Sequence, residues 1–175
     1  MQALAGQENS NLDTKVCREA SLELKASTGL NAQEVLAALP HREPFLFIDR
    51  VESLDANGIV AHREVSGRED FFTGHYPNNP IMPGVLLCEC IFQAGALFIG
   101  RHLQLGAQAQ NSTPVVTRIQ NVKFRSPVRP GDHLKICASL VETVSGVYFL
   151  KGSIEKAGKK VVTLEFACTL MESET

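Results

Sequence analysis

Pro83-Gly84 followed by VLLCECIFQAGALFIGRHL, residues 85–103, is the stretch on which the architecture turns. Proline suits the first helical position, where its missing N–H has no partner to lose, and the run after it has the length of a helix of about five turns. Apart from Glu89 and Gln93 the segment is apolar nearly all round as far as Gly100, and a helix of that composition needs cover on most sides. Residues 81–100 are also the one window that suggests a membrane span. They hold Pro83, Glu89 and Gln93, however, and a carboxylate in the middle of a span is costly. The reading is a helix buried inside a globular protein, with no membrane as partner.

The cover comes from the segments around it. Downstream, residues 115–124, 133–144, 147–157 and 160–171 read as long strands. Leu134, Ile136, Ala138 and Leu140 recur at every second position, as do Val162, Leu164, Phe166, Cys168 and Leu170, the period of a strand with one buried face. Ser145-Gly146 and Ala157-Gly158-Lys159 read as hairpin turns and Arg129-Pro130-Gly131-Asp132 as a longer bend, so the pairing is antiparallel. Upstream, residues 45–51 and 58–65 predict two more strands around a turn at Asp55-Ala56-Asn57. A short helix is expected over residues 32–39, capped by Asn31 with Glu34 three positions on and stopped by Pro40. Between the second strand and the long helix, FFTGHYPNNPIMPG (residues 71–84) carries Pro77, Pro80 and Pro83, which exclude helix and central strand and leave an ordered loop. The fold class is α+β: a curved antiparallel sheet of about six strands around one central helix. A single sheet covers only part of such a helix, and the remainder asks for a second copy of the chain.

The chain has 175 residues, the length of about one domain. Residues 1–30 are polar without sustained period and read as a mobile extension, with one short helix near residues 16–25; residues 31–175 form the single domain. Seventeen Lys and Arg against nineteen Asp and Glu leave a formal charge of −2, no field for holding nucleic acid. Five cysteines, an odd number, without a secretory leader point to a reducing, cytoplasmic setting. No CxxC pair occurs, and Cys88 and Cys90 point to nearly opposite sides of a helix, so the cysteines read as buried apolar side chains and no metal site is expected.

Chemistry concentrates in nineteen positions. His75 sits in Gly74-His75-Tyr76-Pro77, a stiff bend that can aim an imidazole able to take and return a proton near neutrality. Glu89 is the one acidic residue between Asp70 and Asp132, and its apolar neighbours favour the protonated form, that of a general acid. Gln93, four residues on, shares its helix face and can hold the carboxyl. At the helix start the N–H of Gly84, unscreened by a side chain, can receive a carbonyl oxygen on which charge builds. Taken singly, His75 could be a structural hydrogen-bonder, Glu89 an ion-pair or interface residue, and Pro83-Gly84 ordinary capping; their conjunction favours a site.

The segment GHYPNNPIMPGVLLCE (residues 74–89) with Gln93 resembles the signature of bacterial beta-hydroxyacyl-(acyl carrier protein) dehydratases, enzymes of fatty acid elongation with the hot-dog fold. LPHREPFLFIDRV (residues 39–51) resembles the family's opening and VKFRSPVRPGD (residues 122–132) its first long strand after the helix, so the likeness runs over residues 35–171. The resemblance implies loss of water from a (3R)-3-hydroxyacyl thioester on acyl carrier protein, giving the trans-2-enoyl thioester with no metal and no organic cofactor. It makes His75 and Glu89 catalytic, the Gly84 N–H the donor to the thioester carbonyl, and Gln93 the brace of the carboxylate. It also implies a homodimer whose shared site takes histidine from one subunit and carboxylate from the other, with dimers often gathered into hexamers. Glutamate at position 89 is similar to the branch that only dehydrates; the isomerising branch has aspartate. Asn78 replaces a common glycine, and Cys90 and Phe92 replace common alanines, which is expected to reshape the acyl tunnel. Arg101, Lys123, Arg125 and Arg129 are candidates for a basic rim meeting the acidic carrier. His41 and Arg42 are family-like without a catalytic role, and His62, His102 and His133 read as surface residues. Two alternatives are a hot-dog acyl thioesterase and a non-catalytic acyl-binding subunit.

Overall fold

The computed structural model describes residues 29–102 and 112–172. In chain order these form α1 (Ala32–Ala38), β1 (Arg50–Leu54), β2 (Gly58–Glu64), α2 (Phe71–Gly74), α3 (Gly84–His102), β3 (Ser112–Phe124), β4 (His133–Val144), β5 (Val147–Lys156) and β6 (Lys159–Glu172). The six strands make one antiparallel sheet in the order β1-β2-β4-β5-β6-β3, and α3 packs against β2, β3, β4, β5 and β6. The expected α+β architecture is the one observed.

Local chemistry sets the elements. Asn31 caps α1 with a full capping box: its side chain accepts from Gln33 and Glu34 N–H, and Glu34 accepts from Asn31 N–H. Asp55 Oδ1 accepts from Asn57 and Gly58 N–H, which closes the β1–β2 turn. Ser145-Gly146 and Ala157-Gly158 have positive φ at both positions, the geometry that matches the twist of hairpin strands. The second turn therefore has two residues, and Lys159 already belongs to β6. The helix seats closely because Gly152 of β5 and Gly95 of α3 lack side chains: a Cβ at Gly152 would collide with Ile91, and one at Gly95 would meet the Phe166 ring.

Four expectations need correction. Residues 45–49 are not strand. Phe47 and Ile48 are buried, and Phe47 N–H is donated to a glutamine side chain, so this stretch packs on α3 and leaves the sheet to begin at Arg50. Residues 71–84 are not wholly loop: α2 makes one turn at its start, upstream of Pro77. Leu30, placed in the extension by composition, is buried and bridges to Val51 through both backbone groups. His62 is half-buried and bonded to Glu52 at 2.6 Å, because β1 and β2 bring the two side chains onto one face. The expected helix near residues 16–25 lies outside the described residues.

A window of α3 is long and apolar enough to cross a membrane, but 56% of it is buried within the structure. The less buried positions Val85, Glu89, Phe92 and Ala96 follow one another at helical spacing and make a single open stripe, and the rest of the helix from Leu87 to Ile99 is buried. The sheet leaves the stripe that carries Glu89 only partly covered. Cys88, Cys90, Cys137 and Cys168 are buried and in no disulfide among the described residues.

Candidate active site

Glu89 lies half-buried on the open stripe of α3, its side chain 21% exposed. Gln93, one turn on and fully buried, uses its whole amide: Nε2 donates to Glu89 Oε1 at 3.0 Å and to Phe45 O at 2.9 Å, and Oε1 accepts from Phe47 N–H at 2.8 Å. It holds the carboxyl and fastens residues 45–47 to the helix. The expected bond between Gln93 and Glu89 is present; the two to the 45–47 stretch come from residues nearly fifty positions away.

His75 closes α2 by donating its backbone N–H to Phe71 O. Its ring Nδ1 lies 2.7 Å from Ile81 O. A carbonyl oxygen can only accept, so Nδ1 carries the proton and neutral His75 presents a bare Nε2. The bend around it is fixed from outside. Met82 N–H is donated to Val128 O, and the Arg129 guanidinium reaches Asn79 Oδ1 at 2.6 Å and Pro80 O at 3.2 Å. Arg129, a candidate for the carrier-facing rim, is engaged in holding the histidine loop.

Gly84 begins α3, where Leu86 and Leu87 N–H turn back to Pro83 O. The Phe124 ring lies so close that a Cβ at Gly84 would stand 3.0 Å from it. A side chain at position 84 would require that exposed ring to shift.

Among the described residues the partners of Glu89 are Gln93 and His41, whose Nε2 is 3.5 Å from Oε1. Among the described residues no hydrogen bond or ion pair joins His75 to Glu89. Clefts of about 690 Å³ beside Phe45, Phe47 and Leu86 and about 520 Å³ between α1 and the end of α3 are lined by none of His75, Gly84 or Glu89. His41, read from the sequence as family-like without a catalytic role, is a neighbour of Glu89 in the structure. Of the two residues expected to reshape the acyl tunnel, Phe92 stands on the open stripe with its ring 5.1 Å from Phe166, whereas Cys90 is fully buried away from it.

A curved antiparallel sheet around one long helix defines the hot-dog fold. The FabA-like domain family model matches residues 39–165, and the chain belongs to that family. It is 37% identical over 153 residues to a protein of Caulobacter vibrioides named 3-hydroxyacyl-[acyl-carrier-protein] dehydratase FabZ, covering 86% of this chain and 94% of that one. A relative of the same name from Nitrosospira multiformis is 35% identical over 147 residues, covering 83% of this chain and all of that one. In structure the chain is similar to a dehydratase heterocomplex, ApeI:P, from Xenorhabdus doucetiae, with TM-score 0.66 and 20% identity over 79% of this chain and 91% of that one. A hypothetical thioesterase from Streptococcus pneumoniae aligns with TM-score 0.53 and 14% identity, over 71% and 90%, a likeness of fold.

Proposed function

We propose that the protein dehydrates (3R)-3-hydroxyacyl thioesters carried on acyl carrier protein to trans-2-enoyl thioesters in fatty acid synthesis or a related pathway, in the cytoplasm. The observation that carries this reading is the tautomer of His75: Nδ1–H is committed to Ile81 O and Nε2 is left free to accept a proton. The names of the curated relatives, at 35–38% identity over most of the chain, support the substrate class.

In the proposed elimination His75 Nε2 takes a proton from C2, and the electron pair becomes the C2–C3 double bond. The C3–O bond breaks, and the oxygen leaves as water with the proton of the Glu89 carboxyl. The Gly84 N–H, at the positive end of α3, stabilises charge on the thioester oxygen as C2 is deprotonated. The cycle closes when the proton held by His75 is returned to Glu89 through solvent.

The two groups act together across a homodimer. Two features support that reading. The open stripe of α3 wants a cover, and β3 is a thirteen-residue edge strand with no neighbour on its outer side among the described residues, a ready template for a second copy. One mixing experiment tests both chemistry and sharing. His75→Ala and Glu89→Gln should each lose on the order of 10²–10⁴ in rate, followed by enoyl absorbance with a 3-hydroxyacyl thioester. Subunit exchange between the two inactive variants should restore about one quarter of wild-type activity, because half of the dimers are then mixed and each has one intact site. Full activity in either single variant removes the role of that residue. No recovery on mixing, with exchange confirmed, places both groups in one protomer. Thiol release in step with turnover would instead identify hydrolysis.

A further inference from the structure

The His41 ring is set against Glu89 by contacts that do not involve Glu89. The Arg42 guanidinium donates to Leu39 O and His41 O at 2.7 Å each and so braces the backbone on either side of Pro40. The Phe45 ring stacks on the imidazole at 6.3 Å and 21°, and Gln93 in turn holds Phe45 O. His41 Nε2 then stands 3.5 Å from Glu89 Oε1, a separation that can tighten to a hydrogen bond when substrate closes the site. Its other nitrogen, Nδ1, is buried with no hydrogen-bond partner among the described residues.

Those two facts select a tautomer. A proton on Nδ1 would be a buried donor without an acceptor, and a bare Nε2 would set its lone pair against the carboxyl oxygen; a proton on Nε2 avoids both. Gln93 Nε2 donates to the same Oε1, and Oε2 has no partner among the described residues. With Gln93 donating to Oε1 and His41 Nε2 approaching the same oxygen, the carboxyl keeps its proton on Oε2.

We propose that His41 is a positioning residue: with Gln93 it engages Oε1 of Glu89, so that the transferable proton sits on Oε2 and faces the open stripe where the C3 hydroxyl arrives. The inference rests on the assignment of Glu89 as the acid of the dehydration. His41 touches no reacting atom; it acts by fixing which oxygen of its neighbour does.

The test compares His41→Leu and His41→Gln with wild type, after thermal melts of both. Loss of orientation should lower kcat of the leucine variant on the order of 10²-fold while KM moves by less than about threefold, because an interaction used in the transition state is lost rather than substrate binding. Glutamine retains an N–H donor and should recover kcat to within about tenfold of wild type. A leucine variant as fast as wild type, or a glutamine variant as slow as leucine, overturns the proposal. A second measurement does not depend on turnover. In protein labelled with ¹⁵N-histidine, the His41 ring signals should report a proton on Nε2 and should shift in Glu89→Gln; a proton on Nδ1, or signals indifferent to Glu89→Gln, overturns it. A wild-type protein that fails to dehydrate the thioester refutes the function alone, and the ring signals still decide the contact.

Discussion

Gln93 is where the economy of single residues shows most clearly. Its three hydrogen bonds use both amide protons and the oxygen, at a position with no exposure. Gln93→Leu, close in volume, would strand Phe47 N–H and Phe45 O in the interior. The expected cost is on the order of 2–4 kcal/mol, read as a fall in melting temperature of roughly 5–12 °C, with activity falling as Glu89 loses its brace. The bond to Glu89 is legible in the sequence because the two residues are four apart on a helix. The bonds to residues 45–47 are not, since nothing local says which remote backbone will lie under an amide. The sequence marks His41 as family-like but not as a neighbour of Glu89, because that placement depends on where Pro40 and the Arg42 brace send the chain. Burial raises the Cys90 thiol and pushes that of Cys168 up to about 12, so both are poor nucleophiles, in keeping with their reading as apolar fillers.

At the scale of elements, the hairpins β4–β5 and β5–β6 were legible in their turns and strand extents, because Ser145-Gly146 and Ala157-Gly158 announce the turns, whereas the register shifts at Leu140/Glu142 and Ile154/Glu155 leave no mark in the alternation. Residues 45–49 were misread as strand because an apolar run of that length is consistent with a strand or with any buried segment, and only the packing against Gln93 decides. The close seat of α3 on β5 carries a prediction. Gly152→Ala places a methyl group on Ile91 and near Cys137 O. Because the obstruction includes backbone, it should destabilise by about 1–3 kcal/mol in urea melts, and Ile91→Leu in the same chain, which lacks the Cγ2 methyl that the new Cβ would strike, should recover part of the loss.

Across the whole molecule, three carboxylates respond alike to pH. Partial burial acts to raise Glu52, but the hydrogen bond to His62 and the charges of Lys135, His62 and Arg50 hold it below its ordinary value. Burial likewise opposes, and the N–H groups of Glu69, Ser66 and Gly67 with the Arg63 charge outweigh it, at Glu69; Lys156 and Arg129 do the same for Asp132. A carboxylate depressed in the folded state stabilises above its unfolded value and loses that contribution as pH falls through the folded one. The urea midpoint should therefore change little from pH 7 to about pH 5 and decline progressively below about pH 4. Lys156→Met, which removes the 2.7 Å partner of Asp132, should make the decline shallower. A midpoint that rises on acidification would contradict the sign.

The long outer margin of β3 has a consequence for the life of the newly made chain. A ribbon of unanswered amides invites whichever strand arrives first, so stickiness toward strangers and recognition of its own twin draw on one set of bonds. Crowding by identical nascent chains then decides between orderly pairing and clumping, and on the proposed homodimer thermal resistance should climb with protein concentration.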